Sequence, residues 1–440
     1  MELPQFTRSQ LIVFAGIGGV LLVGVLMVAG VIPGLRTQTV KPDPVDLTFW
    51  GVHGSEDAYK PLIDAYRSFA SHVTITYVEK SPLTYERDLL NALAAGEGPD
   101  LFMVRNRAIP RWQDKIAPAP VEYFTPAEMD EIFADVASFD LARGGLVWGV
   151  PFSIDTLALF YNRDLFNDAR ITAPPRTWAE FDRAVQALTR RDESGNIERS
   201  GVALGTAQNI NRAADILALL LLQQGSPVTK AENGAAVFDL STTRAGKVFM
   251  PGETALTQYT AFSDPRDLRY AWNGRQHHSI DAFIEGNTAM MLNYSYQIPT
   301  IKDRAPHLRF AVAPAPQRDG RESDVAFANY WAYTVAKNSQ NPGEAWRFLA
   351  YATSKDVLAE YLNQNGLPAA RRDLLEEQFN DRAIDPFANQ VLVARSYYTV
   401  DNLLVETVLD AMIEEVARRQ STAKTAIDRA VQKINVGILR

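Results

Sequence analysis

Residues 45–104 switch hydrophobic period with every element, and this alternation restricts the fold more than any other feature of the chain. Val45–Trp50 is a short apolar strand candidate followed by the polar turn Gly51-Val52-His53-Gly54-Ser55. Leu62, Ile63, Tyr66, Phe69 and Ala70 then recur at helical spacing on one face. Val73–Val78 is β-branched and strand-like, Leu89, Leu90 and Leu93 mark a second helix closed by Gly96 and Gly98-Pro99, and Asp100–Val104 is a third strand. A β-α-β-α-β run of this length predicts a parallel, doubly wound sheet.

The pattern resumes after a proline-rich stretch. Leu146–Pro151 and Leu157–Tyr161 are extended apolar runs. Thr177-Trp178-Ala179-Glu180 has capping-box spacing and predicts a helix to about Arg190. Ile210–Gln224 reads as a helix, well buried because Ile216–Leu222 is almost wholly apolar, and Ala282–Leu292 reads as helix end, turn and strand. Pro306–Pro316, interrupted by prolines, reads as a connection between lobes rather than a central strand. Asn341-Pro342 opens a further helix. Leu403 to Val416 and Ile427 to Ile434 are amphipathic helices.

Leu11–Ile32 carries no charged residue and stops at Pro33-Gly34. As a helix it would span roughly 33 Å, enough for a hydrocarbon core of about 30 Å. It is longer than the roughly 7–15 residues of a signal-peptide core, and Val28-Ala29-Gly30 is a poor cleavage site. The expectation is a retained signal anchor: 1–10 a short cytoplasmic end, 11–32 a transmembrane helix, 33–44 a linker, and the remainder outside the cytoplasm. There is no cysteine. That excludes disulfides, thiolate chemistry, Cys-ligated metal and a lipidated-cysteine anchor. With 44 Lys+Arg against 52 Asp+Glu, the net charge of −8 argues against nucleic-acid binding.

Six segments in one order carry a resemblance. They are Leu47–Gly51, Ala92–Leu101, Gly149–Phe152 with Leu159–Leu165, Pro175–Phe181, Phe283–Met290 and Glu344–Leu349. Each mostly encodes packing, but in this sequence they resemble the family 1 extracellular solute-binding proteins of ABC transporters, which are maltose-binding-protein-like. The resemblance covers roughly residues 45–440. It implies an α/β, two-lobed periplasmic-binding-protein fold (type II-like), each lobe a doubly wound sheet of discontinuous chain: 45–153 plus 313–365, and 154–312 plus 366–440. The crossings should fall near Ser153–Asp155 and Ala311–Pro314. It implies hinge closure on a solute, most plainly a carbohydrate, and delivery to an ABC permease by a monomer that is not an enzyme and needs no cofactor. There is no GxxxxGK[ST] loop, so energy would come from partners.

Ligands of open α/β sheets bind beyond the carboxyl ends of strands. After the first strand those positions offer Trp50, His53 and Glu56, and after the third Arg105 and Asn106. Each has a plainer reading as core or solvated surface. Arg105 or Arg107 turned inward would favour an anionic ligand. Asp155 stands where the resemblance implies an acidic ligand residue. Its carboxylate could accept two hydroxyls of a diol, or could join an ion pair at the hinge. Tyr294 and Tyr296 follow the Ala289–Leu292 strand where the family places a stacking tryptophan, a departure that keeps a ring and puts maltose in doubt. Tyr330, Trp331, Tyr397 and Tyr398 sit near further expected strand and helix ends, and at least three of these rings should line the site. His277-His278 lack metal-site spacing. The rival readings are a cell-surface carbohydrate hydrolase using paired carboxylates such as Asp155 and Glu56, and a ligand-sensing receptor on the same fold.

Overall fold

The structure is a computed structural model that describes residues 7–28, 42–52, 54–244, 246–379, 381 and 384–438. The chain divides into a unit of residues 1–45 and a unit of residues 46–440. In the first, a helix runs from Arg8 to Val28. Val13, Ile17, Val20, Leu21, Leu22 and Val23 are all exposed on it. Among the described residues, no helix is long and apolar enough to cross a membrane. The end of the expected anchor, 29–32, and most of the expected linker, 33–41, lie outside the described residues.

In the large unit the strand Val45–Gly51 alternates as its sequence dictates, burying Leu47, Phe49 and Gly51. It pairs in parallel with Leu101–Arg105, whose first four residues are buried on both faces. That is the setting in which a strand reads as a continuous apolar run. The sheet order is Val73–Glu79, Val45–Gly51, Leu101–Arg105, Trp331–Ala336, Ile116–Ala117, with Val150–Pro151 also pairing to Trp331–Ala336. Trp331–Ala336 runs antiparallel to Leu101–Arg105, so a return from distant chain completes the expected parallel sheet. Helices Glu56–Phe69, Pro342–Ala352 and Lys355–Asn365 pack together and against this sheet.

A second sheet places Ala158–Asn162 between Met290–Asn293 and Phe310–Pro314, both antiparallel to it. This differs from the doubly wound arrangement expected on this side, although Ser200 bridges Thr288 in parallel. It also corrects the reading of Pro306–Pro316 as a connection. Phe310–Pro314 is an edge strand, where a terminal proline costs no ladder bond on the paired side. The chain passes back toward the first sheet through Ala326–Asn329, which pairs with the outgoing Asp155–Thr156 in antiparallel register and with Ala394–Arg395 in parallel.

Helix Ala213–Gln223 is buried almost all round, as its apolar composition requires, and packs against Pro251–Thr260 and Asn402–Ala417. Asn402–Ala417 and Ala423–Gly437 pack on each other. At Thr177 only half the expected capping box forms. Its hydroxyl accepts from the Glu180 N–H at 3.3 Å, while the Glu180 carboxylate accepts from the N–H of Arg176 instead. The complete box is at Thr125 and Glu128.

Candidate functional site

A cavity of about 300 Å³ lies between the first sheet and the crossing segments. From the first, register sets Tyr333 opposite Met103 and Trp331 opposite Arg105, so these side chains share one face. Met103, Trp331 and Tyr333 line the cavity, joined by Tyr59, Tyr361 and Asn365 from flanking helices. From the other side come Ser153, Asp155 and Asn329 on the crossing segments, and Tyr296 and Pro299 at the start of helix Gln297–Arg304. The first-sheet rings buttress one another. The hydroxyls of Tyr59 and Tyr333 lie 2.8 Å apart, Tyr59 stacks on Tyr77 at 4.5 Å, and Tyr85 meets Trp331 edge-on at 6.1 Å. Burial raises Tyr59 and Tyr333 well above the usual phenol range, so both stay neutral hydrogen-bonding groups.

Among the described residues lining the cavity, Asp155 is the only charged one. Its carboxylate accepts from the N–H of Thr156 at 2.8 Å and from Ser295 twice, N–H at 3.1 Å and hydroxyl at 2.7 Å. It therefore ties the outgoing crossing segment to the loop before Tyr296. Burial pushes this carboxyl up to about 6 against those hydrogen bonds, which act to lower it. Tyr296 is 43% exposed and stacks on buried Tyr294 at 5.7 Å and 20°. It presents a free ring face beside a carboxylate, a combination suited to the apolar face and hydroxyl rim of a sugar ring.

Behind this wall lies a charged cluster. Arg107, with no side-chain exposure, donates at 3.1 Å to Asp215 and at 3.1 Å to Glu406. Asp215 also accepts from Arg212 and, at 2.7 Å, from the hydroxyl of Tyr294. Burial alone would raise Asp215, but Arg212 and Arg107 hold it below the usual carboxylate range. Alongside, buried Asp140 accepts from Asn106 and from Tyr330, each at 2.8 Å, and from Ser396.

The sequence profile described as bacterial extracellular solute-binding protein matches residues 53–359. The chain belongs to that family. A maltotriose-binding protein of Pyrococcus abyssi is 24% identical over 74% of this solute-binding protein, and the match spans 65% of that relative. The maltodextrin-binding protein MdxE of Bacillus subtilis is 22% identical over 87% of this chain and 88% of its own. A solute-binding protein of Thermotoga lettingae, solved with α-D-tagatose, superposes with a TM-score of 0.70 at 21% identity, covering 90% of this chain and all of that one. The shared architecture is the two-lobed α/β fold, and these relatives are binding proteins rather than enzymes.

Of the candidate ligand residues of this solute-binding protein, Asp155, Tyr296, Tyr330 and Trp331 meet at the cavity. Tyr294 and Asn106 do not line it. Each is buried in the charged or polar cluster directly behind a lining residue. Tyr397 is buried with its ring 4.8 Å from the Arg107 guanidinium, and Tyr398 lies under Arg143. Trp50 is covered by Lys80, and Arg105 rests over the ring of Trp331; neither is among the described residues lining the cavity. Glu56 is exposed on the first turn of its helix and is not among the described residues that line the cavity with Asp155. His53 lies outside the described residues. His277 contacts Glu285 at 2.8 Å, and no cluster of three metal-ligating side chains occurs among the described residues.

Proposed function

We propose that this solute-binding protein captures a neutral saccharide by closing its two lobes on it. The observation that carries the reading is the cavity lining: one carboxylate, Asn329, Asn365 and Ser153 as polar groups, several aromatic rings, and no lysine or arginine among the described lining residues. Such a lining donates and accepts with hydroxyls and stacks on sugar faces, but offers no cation to a phosphate or carboxylate. The names of the relatives, which bind maltotriose, maltodextrin and tagatose, support the class. Of the expected lobes, 45–153 plus 313–365 and 154–312 plus 366–440, we place the second crossing later, at about 326–329, a shift supported by the pairing of Phe310–Pro314 with the second sheet.

The protein works extracytoplasmically as a monomer, tethered by the uncharged run Leu11–Ile32, and hands its solute to a membrane permease. The support for the tether is the uncharged run Leu11–Ile32 and the exposure of six apolar side chains along its helix. The test is a thermal-unfolding screen of the full chain in a detergent without a sugar head group, against saccharides, polyols, sugar phosphates and amino acids. A saccharide at one hundred times its Kd should stabilise the protein by about 2.7 kcal/mol. A shift produced by sugar phosphates or amino acids alone overturns the reading.

A further inference from the structure

We infer that Arg107 and the carboxylates holding it close one end of the cleft, so that the protein accepts a saccharide of one or two rings and rejects longer ones. This rests on the saccharide reading of the same cavity and names the size class within it. Arg107 leaves the first sheet two residues beyond the strand Leu101–Arg105. Asp215 and Arg212 come from the start of helix Ala213–Gln223, and Glu406 from helix Asn402–Ala417, on the other side. The two sides meet with Arg107 wholly buried and Asp215 1% exposed, its guanidinium 5.1 Å from the ring of Phe327 and 4.8 Å from that of Tyr397.

The cluster and the cavity share a wall. Tyr296 faces the cavity and stacks on Tyr294, whose hydroxyl donates to Asp215. Tyr330 also faces the cavity, and its hydroxyl donates to Asp140, which also accepts from Asn106, the neighbour of Arg107. The cavity beside this wall is about 300 Å³. That is the bottom of the roughly 300–1,000 Å³ range of ligand pockets and holds about ten water molecules. Two guanidinium groups pair with two carboxylates in the cluster, so a longer ligand could enter there only by separating buried charges.

The test is calorimetric titration of the full chain, in detergent without a sugar head group, with hexoses and their di-, tri- and tetrasaccharides. The tightest ligand should have one or two rings, with each trisaccharide that extends it at least about tenfold weaker. The double variant R107A/E406A removes one cation and one carboxylate and leaves the Arg212–Asp215 pair. It should recover trisaccharide binding by about tenfold while its affinity for the shorter parent changes less than about threefold. A wild-type trisaccharide binding as tightly as its disaccharide overturns the length limit and leaves the saccharide reading intact. A cooperatively folded double variant with no gain overturns the assignment to Arg107. If the double variant does not fold, the wild-type ladder decides. Binding of no saccharide at any length overturns both readings.

Discussion

At the scale of single residues, Asp155 has two tasks, holding the Ser295 loop and facing the ligand space. Burial raises its carboxyl to about 6. A raised acid binds its proton more tightly folded than unfolded. Its ionisation therefore costs stability as pH rises from about 4 to about 6, and it contributes nothing of this kind below that window. Only the ionised form is purely an acceptor. Saccharide affinity should accordingly fall as pH drops through about 6, and Asp155→Asn should flatten that dependence in titrations between pH 5 and 8. Tyr296→Ala, at an exposed ring, should weaken binding about tenfold with the unfolding temperature nearly unchanged, whereas Arg107→Ala should destabilise the protein by about 3–5 kcal/mol in denaturant titration. Asp155, Tyr296, Tyr330 and Trp331, which line the cavity, were legible as candidates because they follow strand ends or stand at a crossing. Arg107 and Asp215 were harder to read, since their partners lie 108 positions apart. The available signal was Asp215 itself, an acid at the head of an otherwise apolar helix.

At the scale of elements, β-α-β-α-β was readable across 45–104 because the first four segments each have one buried face and therefore one period, while the fifth, Leu101–Arg105, is buried on both faces and reads as an unbroken apolar run. Helices Gln297–Arg304 and Lys355–Asn365 were not, although both reach the cavity, because much of their length is polar and tertiary packing holds them in place. The antiparallel return of Trp331–Ala336 and the edge role of Phe310–Pro314 depend on pairings between distant segments that no local pattern encodes. The strand Val45–Gly51 ends under the ring of Tyr77, whose hydroxyl donates to the carbonyl of Gly54 at 2.7 Å. A Cβ at Gly51 would stand 2.4 Å from that hydroxyl oxygen, and the ring is packed against Phe49 and Tyr59. Gly51→Ala should therefore cost about 1–3 kcal/mol in thermal or denaturant unfolding, and should weaken ligand binding through the displaced Gly54 turn.

At the scale of the whole molecule, residues 46–440 form a compact unit with its own cores. A chain beginning at residue 45 should stay in solution without detergent and bind the same saccharide within about twofold, while the full chain partitions into liposomes; loss of binding on truncation would assign residues 1–44 a part in the site. Small-angle scattering should show the truncated protein becoming more compact as saccharide is added, since closure is selected by contacts made to both lobes at once. The crossing segments set how that motion can run. Asp155–Thr156 and Ala326–Asn329 are hydrogen-bonded to each other side by side. Two separate strings would let the halves slide, splay and rotate independently. A two-stranded ribbon resists shear and stretching and yields most readily to twist and bend, so it works as a torsion spring with few soft directions. The halves should then return to the same closed alignment on every cycle, which is what a precisely spaced carboxylate and ring need in order to meet one ligand repeatedly.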